Sequence, residues 1–249
     1  MESWKPTLEW IRKQNPAFLL HGGDITLDGA DEEDDMAHCA ELVQALGVPC
    51  HVTPGNHDVG VAGGRQPVNP DRLARWQRHF GADRWVRDIE NWRLIGFNSM
   101  ILGSGFAAED AQFSWLEEQM QAAAGRRIAW FCHQPLFIHG YDDPDNGYWS
   151  VPPEPRARLE ALSRRFDVGL VSTGHLHISH ARTIGDTHYI WCPSTAFTVA
   201  EQPEFPGEKV LGGVVFDFEG SSVGYERVHL PSLQHVWIED VVAEVYPRK

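Results

Sequence analysis

Four apolar, β-prone runs in this chain each stop at a polar cluster, and this recurrence limits the folds open to it. The runs read AFLLHGGD (17–24), CHVTPGNHD (50–58), IAWFCHQP (128–135) and VGLVSTGHLH (168–177). Helix-period segments lie around and between them: Trp4, Leu8 and Ile11; Met36, Leu42, Val43 and Leu46 within 32–46; Leu73, Trp76 and Phe80; Phe113, Leu116 and Met120; Leu159, Leu162 and Phe166. Strand-length runs alternating with helical ones through short connections imply βαβ units and a largely parallel sheet. A further strand is expected at WRLIGFNS (92–99).

From about residue 180 the texture changes to short β-prone runs, SHARTI, THYIWC, VLGGVVFDF and SVGYERVHL, which predict an antiparallel meander. The acidic DEEDD (31–35) reads as a solvated helix start, where the helix dipole favours negative charge. The stretch GVAGGRQPVNP (60–70) matches no phosphate-cradling pattern and reads as a connector or lid. HGYDDPDNGYWS (139–150) is either a substrate loop overhanging a site or a solvated loop rich in turn residues. No boundary or repeat divides residues 1–249, so a single domain is expected.

Composition removes several function classes. A formal net charge of −14 without a basic stripe argues against a nucleic-acid backbone as partner, although bound cations would still admit an anionic substrate. The four cysteines, Cys39, Cys50, Cys132 and Cys192, form no CxxC pair and read as free thiols in a reducing compartment. No apolar run reaches membrane-span length, and the charged, amphipathic MESWKPTLEWIRKQ does not resemble a secretory leader. A cytoplasmic protein is the expectation. The acidic, β-rich C-terminal third could supply a homodimer surface, but its pattern does not demand one. No serine lies in a G-x-S-x-G elbow, so a serine-hydrolase reading fails.

The strand ends carry the chemistry. In parallel sheets, ligands bind beyond the carboxyl ends of the strands. The runs here end on Asp24, on Asn56 and His57, on His133, and on His175 and His177. One carboxylate, one amide oxygen and three imidazoles make a mixed oxygen and nitrogen donor set, suited to divalent Mn, Fe, Zn, Co or Ni rather than to a thiolate-rich structural zinc. Of the other histidines, His38, His79, His180, His188, His229 and His235 read as surface or packing residues, and His21 and His51 as strand histidines rather than substitute ligands.

GGD, GNHD, a strand-terminal histidine and GHLH, in this order and spacing, resemble four of the five blocks of the calcineurin-like metallophosphoesterases. The spacing is similar to the branch of bacterial class III cyclic-nucleotide and glycerophosphodiester phosphodiesterases. The resemblance spans residues 17 to about 195. It implies a layered α/β/β/α sandwich and hydrolysis of phosphodiesters by attack of a metal-held hydroxide on phosphorus.

It also implies roles by position. Asp24 would bridge two metals; Asn56, His133 and His175 would complete one shell, and His177 would face the other metal. His57 would be the general acid, with Asp58 holding its second ring nitrogen, and Asn56, His57 and His139 would contact a small phosphate-ester substrate.

The family's first block, Asp-x-His on a central strand, has no counterpart in the 23 residues before Asp24 or near the C-terminus. The expectation is therefore a sandwich missing its first central strand and left with unpaired edges. One metal would be held by four groups and the other by only Asp24 and His177. Three functional readings follow: a phosphodiesterase with Mn, Fe or Zn, two ions in the family and one here; a mono-metal or inactive relative acting as a binding scaffold; and a phosphomonoesterase or nucleotide pyrophosphatase. Genomic sequence upstream of Met1 would show whether a first strand is encoded there.

Overall fold

Trp92, Leu94, Ala129, Phe131, Leu170 and Ile190 line one face of a six-stranded sheet, and Ile95, Trp130, Val171 and Trp191 line the other. A sheet apolar on both faces must be covered on both. The computed structural model, which describes residues 3–200 and 205–241, shows how that is done.

The elements in chain order are α1 (Trp4–Gln14), β1 (Leu19–His21), α2 (Glu33–Gln44), β2 (Cys50–Val52), the short α3 (Asn56–Val59), α4 (Pro70–Phe80), β3 (Trp85–Ile89), β4 (Trp92–Gly96), α5 (Ala107–Gln121), β5 (Arg127–Cys132), α6 (Pro153–Arg165), β6 (Val168–Thr173), β7 (His180–Ile184), β8 (Thr187–Trp191), β9 (Gly212–Glu219) and β10 (Ser222–His229). The large sheet has the order β3-β4-β5-β6-β8-β7, with β4, β5, β6 and β8 parallel and antiparallel partners at both edges.

One face of this sheet packs against Phe113, Leu116 and Met120 of α5 and Leu159 and Leu162 of α6. The other packs against Leu20 of β1 and against Val214, Phe216, Phe218, Val223 and Tyr225 of the β9–β10 hairpin. Outside that second layer lie α1, whose Trp10 packs on Leu211, Leu230 and Leu233, and the α2–α4 group around Met36, Val59 and Trp76. The result is the expected layered α/β sandwich with helices on both outer sides.

β1 and β2 form a parallel sheet of only two strands, with Leu19 opposite Cys50 and His21 opposite Val52. Among the described residues no third strand joins it.

Three expectations are corrected. The C-terminal runs are strands, but they do not form one meander: β7–β8 and β9–β10 are separate hairpins in separate sheets, and β8 runs parallel to β6. β3 was not anticipated, because WVRDI places Arg87 and Asp88 in a short edge strand, where charge is tolerated. The DEEDD stretch does begin α2, but Asp35 is not merely solvated; its Oδ2 accepts the Leu27 and Asp28 amides at 3.0 and 2.8 Å and fixes the turn after β1. The 60–70 stretch is a packed connector, with Val61 and Val68 buried and Gln66 donating to Asp28 and Asp31.

The other histidines and the thiols fall where composition placed them. His79 meets Glu33, His188 meets Thr183, His235 meets Thr198, and His51 stacks on Trp85. All four cysteines are free thiols. No helix among the described residues is long and apolar enough to cross a membrane.

Leu170 sits fully buried on the central strand β6 between the two layers. Leu170→Ala is expected to lower unfolding free energy by about 2–5 kcal/mol through a cavity the sheet cannot close, as read from urea titrations of tryptophan fluorescence.

Candidate metal centre

Asp24 follows β1, Asn56 opens α3 after β2, His133 follows β5 and His175 follows β6, so four parallel strands from two sheets deliver their ends to one place. His133 lies at the centre of the group. Its Nε2 is 3.2 Å from Asp24 Oδ2, 3.2 Å from Asn56 Oδ1 and 3.1 Å from His175 Nδ1. Ligand atoms of Asp24, His133 and His175 all lie within 4.8 Å of one another.

These separations fit a shared cation. With bonds of about 2.1 Å, neighbouring ligand atoms stand about 3.0 Å apart in an octahedron and about 3.4 Å apart in a tetrahedron. His133 is 1 % exposed, and Asn56 and His175 are buried. Among the described residues no second group of three His, Cys, Asp or Glu side chains converges in this way, and His177 stands outside the cluster. Asp24 and His177 alone are too few protein donors to define a second closed site.

Local backbone geometry makes the convergence possible. Asp24, His175 and His177 adopt φ of 52°, 62° and 52°, three of the six non-glycine residues in the left-handed region among those described. Such conformations are uncommon outside glycine and concentrate at functional sites. Gly55 is required by close approach, since a Cβ there would collide with Asp24 Oδ1 and the Asp24 amide. Gly23, with φ 96°, leaves room for the His133 ring.

Each site imidazole is anchored through one nitrogen on a backbone carbonyl. His133 Nδ1 meets Gly22 O at 2.7 Å, His175 Nε2 meets Tyr148 O at 2.9 Å, His177 Nδ1 meets Phe197 O at 2.9 Å and His57 Nδ1 meets Leu27 O at 2.6 Å. A carbonyl only accepts, so each of these nitrogens carries the proton, which in His133 and His175 turns the other ring nitrogen toward the cluster. Sequence patterns cannot reveal Gly22, Leu27, Tyr148 or Phe197 in this role, because any residue supplies a carbonyl.

Asp58 differs from its expected role. Its oxygens accept the amides of Ile25, Thr26 and Gly55 and the hydroxyl of Thr26, at 2.8–3.1 Å for the shortest contact of each, while the anchored nitrogen of His57 rests on Leu27 O. Asp58 therefore staples the Asp24 turn to the start of α3 and is no partner of the His57 ring. His57 reaches the cluster by its amide, which donates to Asp24 Oδ1 at 2.9 Å. His139 is exposed, with its amide on Asp143 and its carbonyl accepting from Arg182; Tyr148 is the residue of that loop that meets the cluster.

The electrostatics favour positive charge among these acceptors. Burial opposes charge on Asp24, but His133 and His57 outweigh it and hold the carboxyl far below its usual range. Burial likewise opposes charge on His133, yet Asp24 raises its pKa above the ordinary value. Burial lowers His175 to about 3 and His177 to about 4. Burial, reinforced by Asp24, pushes Asp58 up to about 6.

Residues 2–179 match the sequence profile described as calcineurin-like phosphoesterase. The chain belongs to that family. It is 27 % identical over 198 residues to a probable cyclic nucleotide phosphodiesterase of Synechococcus, covering 79 % of this chain and 71 % of the relative. It is 29 % identical over 175 residues to a probable glycerophosphodiester phosphodiesterase of Arcobacter nitrofigilis, covering 66 % of this chain and 58 % of that one. A human serine/threonine-protein phosphatase is 26 % identical over 197 residues, covering 72 % and 58 %. The chain thus spans under three fifths of the length of two of these relatives. Among solved structures, a purple acid phosphatase from yellow lupin superposes with a TM-score of 0.61 at 16 % identity, covering 89 % of this chain and 46 % of that one, which shows a shared fold.

Two predictions follow from this geometry. Gly55→Ala is expected to abolish metal uptake by displacing Asp24, whereas Asp58→Asn, which removes no ligand, should weaken it about 10–100-fold; equilibrium dialysis against Mn²⁺ distinguishes them. Because the His133 pKa is raised, its proton is present below the ordinary histidine value and is lost as pH climbs through the raised one. Metal binding near pH 6 should therefore release about one proton per ion, and fewer as pH climbs through the raised value, as read by calorimetry in buffers of different ionisation enthalpy. His175 and His177 are already neutral over this range and add nothing.

Proposed function

We propose that this chain is a one-metal member of the calcineurin-like phosphoesterases that binds phosphate esters at the Asp24–Asn56–His133–His175 cluster. The observation that carries this reading is the convergence of three acceptors on His133 Nε2, with no second such cluster among the described residues. A divalent transition ion held there would supply Lewis-acid polarisation of a phosphoryl oxygen. The family's substrates and the mixed donor set favour Mn, Fe or Zn.

The chain's own residues divide the remaining work. Asn56 and His57 open α3 beside Asp24, where the His57 amide donates to Asp24 Oδ1 and Leu27 O fixes the ring through Nδ1, as a proton donor near the cluster requires. His177 is fixed through Nδ1 by Phe197 O, which leaves Nε2 as the ring's acceptor nitrogen. Asp58 keeps the Asp24 turn and α3 in register.

A second reading, hydrolysis of phosphodiesters in the manner of the class III branch, is favoured by the retained His57 and His177 with their tautomers set. Two of the relatives described above are named phosphodiesterases, which favours diesters over monoesters. Free thiols and the lack of a basic stripe favour a cytoplasmic protein acting on a small molecule.

Plasma emission spectroscopy of protein reconstituted with Mn²⁺ is expected to find about one ion per chain, lost in His133→Ala. Bis-(p-nitrophenyl) phosphate and p-nitrophenyl phosphate assays on the same samples test the second reading. About two ions per chain with diester turnover would overturn the one-metal proposal in favour of a binuclear enzyme.

A further inference from the structure

The contacts around the cluster form a continuous chain with two ends. Leu27 O meets the His57 ring, the His57 amide meets Asp24, Asp24 meets His133, His133 meets His175, and the His175 ring meets Tyr148 O. Leu27 and Tyr148 terminate this chain. They are also the exposed large apolar side chains of the described protein, at 42 % and 38 %. Scattered exposed leucines are ordinary, but both such residues adjoining a polar, metal-competent cluster is a different matter.

Neither residue is loosely held. The Leu27 turn is fixed by Asp35, whose carboxylate accepts the amides of Leu27 and Asp28, and by Asp58 on Ile25 and Thr26. Tyr148 sits in a loop organised by Asp143, which accepts the amides of Ile138, His139 and Gly140, and by the buried Arg156, which donates to the carbonyls of Asp143 and Pro144. Gln134 also donates to Tyr148 O. The Tyr148 ring stands 4.7 Å from the His175 ring at 60° and 5.2 Å from Trp149 at 78°. These two rings pack edge to face on Tyr148, which is partly exposed beside the ligand cluster.

We propose that Leu27 and Tyr148 form an apolar rim that selects phosphate esters carrying a flat, apolar ester group over those carrying a small polar one. This proposal rests on the reading of the cluster as a phosphate-ester site and assigns the ligand's other half. The phosphoryl group occupies the charged centre; the ester group lies over the Tyr148 ring with Leu27 closing the other end. Stacking on an exposed aromatic discriminates by shape and apolar area while tolerating chemical variety, so aryl and heteroaryl esters are both accepted.

The test uses phenylphosphonate and methylphosphonate, which share charge and donor oxygens and differ only in the ring. Titration calorimetry on Mn²⁺-loaded protein is expected to show phenylphosphonate binding about tenfold more tightly, the worth of one stacked ring. Tyr148→Ala should remove most of that ratio, and Tyr148→Phe should keep it. Leu27→Ser, on the other side of the site, should lower the ratio about threefold independently. Equal binding of the two phosphonates by metal-loaded wild type, or a ratio unchanged in Tyr148→Ala, overturns the rim while leaving the cluster reading intact. Absence of metal uptake in the same samples overturns both.

Discussion

One ring nitrogen, His133 Nε2, holds this site together by standing within 3.2 Å of an aspartate oxygen, an amide oxygen and a second imidazole. Three acceptors crowded into a buried space repel one another unless something positive lies among them. Asp24 favours such a charge by raising the pKa of His133 against the effect of burial. A cation fits the same place, because the spacing that lets one N–H serve several acceptors is also the spacing of neighbouring ligands around an ion. The strained backbones of Asp24, His175 and His177 cost about 1–3 kcal/mol each, and only a fold that over-determines them keeps them in place.

That over-determination comes from the backbone more than from side chains. Each imidazole of the site is fixed by a carbonyl, and two of those carbonyls, Leu27 O and Tyr148 O, belong to residues whose side chains are exposed. The loops are themselves pinned by buried or half-buried carboxylates, Asp58 and Asp35 on one side and Asp143 on the other. Ligand orientation and metal geometry are consequently coupled: a movement of the Tyr148 loop shifts the nitrogen that faces the cluster. The same loops carry the exposed apolar side chains, which joins the proposed selectivity to the elements that orient the ligands.

The site is also asymmetric. Around His133 the donors of Asp24, Asn56 and His175 converge, whereas His177, equally well anchored, lacks partners of its own kind among the described residues. The small β1–β2 sheet has the same character, a two-stranded unit packed by Leu20 on the large sheet and unjoined by a third strand among the described residues. A two-stranded sheet is marginal in isolation, so its order here depends on packing against the large sheet and on the tie between Gly22 O and His133.

The sequence alone determined the alternation of strands and helices, because burial on both faces of a parallel sheet demands continuous apolar runs, and β4, β5 and β6 announce themselves in WRLIG, RIAWFC and VGLVST. It also marked Asp24, Asn56, His133 and His175 as polar groups at strand ends, and the structure brings these four together. What only the tertiary structure decided was everything carried by atoms common to all residues: which carbonyl anchors each ring, that Asp58 binds amides and leaves the His57 ring to Leu27, and that β8 returns beside β6 and breaks the meander. Such facts depend on where distant segments come to rest, and a carbonyl or a strand edge has no letter in the sequence.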